Sequence, residues 1–112
     1  MKMDDYMNRL KELGQLPDNW NGYGAPVISK STIEKARLLI YQLADLNLDI
    51  SISPTADGYI QIEWFMIDVY YEITIDSLTY QTYIEYSDKT WLEQDFIHRS
   101  EVIAYIKGKL KL

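Results

Sequence analysis

From Tyr59 to Glu85, carboxylates and aromatic rings recur at alternate positions: Tyr59, Gln61, Glu63 and Phe65, then Asp68, Tyr70, Glu72 and Thr74, then Gln81, Tyr83 and Glu85. Side chains two apart share one face of a strand, so each run sets its carboxylates beside its rings. Such a surface grips ammonium and guanidinium groups by charge, while the rings bury area at little entropy cost. The partner this predicts is a larger protein with a basic, Arg-rich patch. A plainer reading stands beside it: Tyr and Thr are good strand formers, and carboxylates keep an open sheet face soluble.

Other chemistry finds little to build on. Glu63 with Glu72, or Asp68 with Glu85, could face each other across strands as an acid/base pair for glycoside hydrolysis, but no cleft is implied. His98 is the single histidine, and its neighbours Ile97 and Arg99 give no triad spacing, so it reads as a surface or helix-start residue. Asp57, Asp88 and Asp95 lie outside the spacing of a calcium loop, and Gly22-Tyr23-Gly24 lacks the third glycine and the preceding strand of a dinucleotide fingerprint. The absence of cysteine removes thiolate chemistry, disulfides and Cys-type metal sites, and fits a reducing compartment. The expectation is a non-enzymatic cytoplasmic chain with no cofactor and no metal.

The segment Leu16-Pro17-Asp18-Asn19-Trp20-Asn21-Gly22-Tyr23-Gly24-Ala25-Pro26 is too rich in turn residues to be regular. Gly22 and Gly24 open backbone angles closed to other residues, while Pro17 and Pro26 fix φ and withhold a donor. Trp20 and Tyr23 carry large apolar surfaces that are either pinned to the core or held open. Asn19, Trp20, Asn21 and Tyr23 therefore form a second candidate site, for a small ligand, unless Trp20 packs on Trp64 and the loop is a structural plug.

Charge narrows the partners. Seventeen acidic against eleven basic side chains give a formal net charge of −6, which opposes non-specific nucleic-acid binding because phosphates reward clustered Lys and Arg. The main basic cluster, His98, Arg99, Lys107, Lys109 and Lys111, suits the negative end of a helix. No apolar signal core follows Lys2, and no run approaches the roughly 18 apolar residues of a membrane span. The 112 residues are read as a single domain, 1–112.

The elements that must position these groups follow from periodicity. Met3, Met7, Leu10 and Leu13 recur at helical spacing, with Gly14 at the place of a left-handed cap. Ser31-Thr32-Ile33-Glu34 matches a capping box for a second helix over 31–46, whose stripe is Ile33, Ala36, Ile40 and Leu43. The period then changes to two. Leu48, Ile50 and Ile52 precede the turn 53–58, and Ile60, Ile62 and Trp64 follow it. Two more inward sets are Ile67, Val69, Tyr71, Ile73 and Ile75, then Leu78, Tyr80, Thr82, Ile84 and Tyr86. Thr90 to Glu93 suggest a short edge strand, and Val102, Ile103, Ile106 and Leu110 a closing helix. The fold class is α+β: an antiparallel meander of about four strands, with a short fifth, helices on one face, order ααββββα. An unpaired edge of such a meander also permits a homodimer.

The loop Asn19-Trp20-Asn21-Gly22-Tyr23-Gly24-Ala25, the helix after it, and Pro54-Thr55-Ala56-Asp57-Gly58-Tyr59-Ile60-Gln61-Ile62-Glu63-Trp64 together resemble a group of short bacterial and mobile-element proteins. The resemblance covers residues 10–76 and implies a shared fold, with no activity to transfer. Phe65-Met66 departs from the group's polar turn. The expected function is a small stoichiometric binder that inhibits or neutralises a larger bacterial protein, such as an antitoxin, an immunity protein or a phage-encoded inhibitor of defence systems (an anti-CRISPR). The alternative is a small-ligand or enzymatic domain with its site at the Asn19 to Pro26 loop.

Overall fold

The computed structural model describes residues 2–111. Two helices, α1 (Lys2–Gly14) and α2 (Lys30–Ala44), precede five strands, β1 (Ser51–Pro54), β2 (Ile60–Met66), β3 (Val69–Ile75), β4 (Tyr80–Glu85) and β5 (Trp91–Phe96), and helix α3 (Arg99–Leu110) closes the chain. The strands form one antiparallel sheet in sequence order, β1-β2-β3-β4-β5. This is the expected α+β meander, with the fifth strand as long as the fourth.

Alternation decides which face meets the helices. Ile52, then Ile60, Ile62 and Trp64, then Tyr71, Ile73 and Ile75, then Tyr80, Thr82 and Ile84 all point to the helical side and are buried. They meet Leu10 and Leu13 of α1, Ala36, Leu39, Ile40 and Leu43 of α2, and Val102, Ile103 and Ile106 of α3 in one apolar cluster. Hydrophobic burial on this single side leaves the other face of every strand without a covering layer.

Several local expectations are corrected. Helix α2 is capped by Ser29, whose Oγ accepts the Thr32 N–H at 3.1 Å, two residues before the expected Ser31 box. Glu34 turns instead to Arg37 as a surface pair. Gly14 ends α1 without entering the left-handed region, and the chain leaves through turn bonds from Gln15 and Leu16 to the Glu12 and Leu13 carbonyls. Ile67 and Leu78 do not face the core: Ile67 sits in the two-residue turn between β2 and β3, Leu78 in the four-residue turn between β3 and β4, and both are exposed. Asp68 shares the first of these turns and lies off the sheet face, so it does not oppose Glu85, which pairs with Tyr70.

No helix among the described residues is long and apolar enough to cross a membrane.

Candidate functional site

Antiparallel register turns the outward residues into rows across the sheet, because directly opposed side chains share a face. One row runs Ser51, Glu63, Glu72, Tyr83, Glu93; a second runs Ser53, Gln61, Thr74, Gln81, Asp95; a third runs Phe65, Tyr70, Glu85, Trp91. The structure thus brings together Gln61, Glu63, Phe65, Tyr70, Glu72, Tyr83 and Glu85. Tyr59 stands just before β2, its N–H bonded to Thr55 Oγ1 at 3.1 Å. No lysine or arginine occupies any position of the three rows.

The rings and carboxylates interlock. Tyr70 Oη lies 2.5 Å from Glu63 Oε2 and 2.8 Å from Glu72 Oε1, and Tyr83 Oη donates to Glu85 Oε1 at 2.6 Å. Phe65 and Tyr70 have ring centroids 5.1 Å apart, and Tyr83 meets Tyr70 edge-on at 6.2 Å. Partial burial, then the bonds to Glu63 and Glu72, push the Tyr70 phenol above the ordinary tyrosine range. The bond to Glu85 is the main cause that pushes Tyr83 up to about 12. Both phenols therefore remain neutral donors at physiological pH.

Donors are scarce here all the same. A carboxylate offers roughly four acceptor positions, whereas a phenol has a single proton to give. Gln61 Nε2 reaches Glu63 Oε2 only at 3.4 Å. Between β3, β4 and β5 the face dips into an open hollow of about 230 Å³, lined by Glu72, Thr74, Gln81, Thr82, Tyr83, Glu93 and Asp95. Three carboxylates, Glu72, Glu93 and Asp95, border it with no cation beside them, a charge that suits the head of an arginine or lysine side chain. No group of three acidic or histidine side chains that could hold a metal ion occurs among the described residues.

Apolar surface collects at the end of the face. Phe65 is 75% exposed, Trp91 58% and Ile67 90%. Ile67 occupies the β2–β3 turn with φ 51, a left-handed conformation that is unusual for a β-branched residue.

The Asn19 to Pro26 loop is organised differently. Asn19 Oδ1 accepts the Gly24 N–H at 2.6 Å, and Asn21 Oδ1 accepts the N–H groups of Tyr23 at 2.8 Å and Ala25 at 3.1 Å. The Asn19 N–H closes the loop onto the Ala25 carbonyl at 2.7 Å. The asparagines thus serve the loop's own backbone, Trp20 is half-buried, and Tyr23 stands 93% exposed. Trp64 takes Tyr71 as its ring partner, stacked at 5.1 Å with the planes 4° apart. The loop reaches the sheet through Pro26, since a Cβ on Gly58 would lie 2.8 Å from Pro26 Cγ. The loop and the hairpin that carry the resemblance are therefore in contact.

Trp91, Glu93 and Asp95 escaped the sequence reading as members of this face. The signal for them was the hairpin turn Ser87-Asp88-Lys89, which sets the register of β5 against β4. No protein-family model, curated protein or solved structure matches the chain.

Proposed function

We propose that this protein is a non-catalytic binding module that holds a larger, basic protein against the outer face of its sheet. Its action is that of a stoichiometric inhibitor or neutraliser, the class of antitoxins, immunity proteins and phage-encoded inhibitors of bacterial defence. One observation carries the reading: Glu63, Glu72, Glu85, Glu93 and Asp95 share an uncovered face with Phe65, Tyr70, Tyr83 and Trp91, and no cation lies among them. Acidic residues by themselves would serve solubility, so the reading rests on their combination with exposed rings. This face has unfilled acceptors at its centre and exposed rings at one end, the combination by which interfaces hold arginine and bury area together.

The test is capture from a bacterial lysate with three immobilised proteins: the wild type, a triple variant Glu63→Lys, Glu72→Lys, Glu85→Lys, and a control Asp18→Lys, Asp45→Lys, Asp57→Lys. The control residues are exposed and lie off the face, so both variants carry the same change in net charge. The expected result is a partner held by the wild type and the control and lost from the face variant, with all three showing the same circular dichroism. Equal retention by the face variant, or capture by none of the three, would refute the proposal.

A further inference from the structure

The two edges of the sheet are treated unequally. At β1 the backbone is answered by α1: Tyr6 Oη accepts the Ile50 N–H at 3.2 Å and reaches the Leu48 carbonyl at 3.4 Å, and Arg9 Nε donates to the Ile52 carbonyl at 3.0 Å. Pro54 then ends the strand without a donor. That edge is covered and short, two of the ways in which proteins prevent strand pairing.

At β5 nothing comparable occurs. The Tyr86 N–H bonds to the Thr90 carbonyl at 2.9 Å, so Thr90 turns its carbonyl toward β4. Antiparallel alternation then directs the backbone of Leu92, Gln94 and Phe96 to β4 and leaves the N–H and C=O groups of Trp91, Glu93 and Asp95 pointing away from the sheet. No hydrogen bond to another element of the described residues meets them. Five of the six residues of this strand are exposed.

The side chains on this edge select what can pair with it. A second copy in the fully overlapping antiparallel register would set Glu93 against Glu93 and Trp91 against Asp95, and directly opposed like charges are destabilising. The same row favours the opposite sign. Cations on an added strand would stand opposite Glu93 and Asp95 and over the Trp91 ring, close to the acidic hollow, while the residues between them would lie beside half-exposed Leu92 and Phe96.

We propose that the β5 edge accepts an extended segment of a basic partner protein as an antiparallel sixth strand, with Arg or Lys opposite Trp91, Glu93 and Asp95 and apolar residues between them. This rests on the reading of the outer face as a surface for a basic protein and adds a backbone component to it. Main-chain bonds supply affinity in such an arrangement, and alternate side chains supply specificity.

The test uses the 15N-labelled full chain and a blocked decapeptide of alternating Arg and Val, with two twins N-methylated either at every Arg or at every Val. In the proposed register the Arg amides face β5 and the Val amides face solvent. Hydrogen exchange at the Trp91, Glu93 and Asp95 amides should slow about tenfold or more with the parent peptide and with the N-methyl-Val twin, and not with the N-methyl-Arg twin. On the protein side, Glu93→Pro removes an outward donor without touching the β4 ladder, and Glu93→Thr removes the charge alone. Binding should be about tenfold weaker or more in Glu93→Pro than in Glu93→Thr.

Equal binding of the N-methyl-Arg twin, equal affinity of the two Glu93 variants, or no binding of the parent peptide would overturn the edge proposal. Shifts confined to Glu63, Glu72, Tyr83 and Glu85 would do the same while leaving the face reading intact. Amide protection at β5 that grows with protein concentration in the absence of peptide would assign the edge to a second copy, and would also overturn it.

Discussion

Replacing Ile67 with Asn should make this protein more stable. Ile67 holds φ 51 in the turn between Met66 and Val69, and its side chain is 90% exposed. A left-handed L-residue with a full side chain costs about 1–2 kcal/mol, a penalty that Asn largely escapes by local hydrogen bonding. Against this, truncation forfeits only the buried tenth of a side chain worth roughly 1.5–3 kcal/mol when fully buried, so about 0.2–0.3 kcal/mol. The net gain for Ile67→Asn is about 1 kcal/mol, or about 3–6 °C in Tm for a chain of this length. Ile67→Gly should gain less, because glycine adds about 0.4–1 kcal/mol of unfolded-state entropy. Urea unfolding followed by tryptophan fluorescence should move its midpoint upward at constant slope. An unchanged or lowered midpoint for Ile67→Asn would refute the assignment of backbone strain to this turn. If the strain is retained to display an apolar tip beside the acidic face, the stabilised variant should also capture its partner less well.

Gly58 combines φ 82 with a Cβ position 2.8 Å from Pro26 Cγ, so Gly58→Ala should destabilise by at least about 1–2 kcal/mol in the same unfolding assay; a neutral result would deny the contact between loop and hairpin. Trp64, 2% exposed and stacked on Tyr71, should cost about 3–5 kcal/mol when truncated to Ala, whereas half-buried Trp20 should cost roughly 2 kcal/mol; equal losses would show that the Trp20 loop is as deeply anchored as the core. In an alkaline absorbance titration, Tyr83 should ionise near about 12 and Tyr70 beyond the other tyrosines. Because folding raises both phenols above an unfolded value of about 10, their stabilisation is complete below that pH and is lost as pH rises through the folded values. Tyr70→Phe and Tyr83→Phe should remove the last phenolate steps, and their persistence in both variants would contradict the carboxylate contacts.

What the sequence conveyed is tied to periodicity. Helix α2 and strands β2 to β4 alternate or repeat with a buried face, so Ala36, Ile40, Leu43, Ile60, Ile62, Ile73 and Ile84 identify themselves by spacing. Errors fall where spacing ceases to carry information. Extending the inward sets to Ile67 and Leu78 fails because the hairpin turns absorb those residues, and nothing in an isoleucine announces a positive φ. The extent of β5 is illegible for a related reason: Trp91-Leu92-Glu93-Gln94-Asp95-Phe96 is an edge strand mostly exposed on both sides, so it lacks a hydrophobic alternation to mark its length. The contact of Pro26 with Gly58 joins residues far apart in the chain, which no local pattern encodes. Asn19 and Asn21 look ligand-ready in sequence, yet their oxygens close a loop whose turns leave backbone donors without helix or strand partners.

The distribution of cations argues most strongly that the outer face is more than a solvated surface. On the helical side, charge is matched locally: Arg9 with Glu12, Arg37 with Glu34, Lys2 with Asp49. Lys35 bonds the Asp76 and Thr79 carbonyls at 2.9 and 3.3 Å, and Arg99 Nε bonds Gln42 at 2.8 Å, so cations there also join elements to one another. The outer face receives none of this. Its carboxylates are held beside one another by tyrosine hydroxyls, against their mutual repulsion, in rows that the sheet keeps rigid. Solubility would be served equally well by the mixed signs used on the other side. On this single-signed surface bordered by exposed rings the chain supplies tyrosine hydroxyls and an amide as donors but no cation, so under the proposed function the compensating charge would come from the partner. Because those pairs would form near solvent, where charges are screened over about 8 Å at physiological ionic strength, partner capture should weaken steeply as salt is raised. Capture that is indifferent to salt would place the interface on the apolar tip around Phe65 and Ile67 instead of on the carboxylate rows.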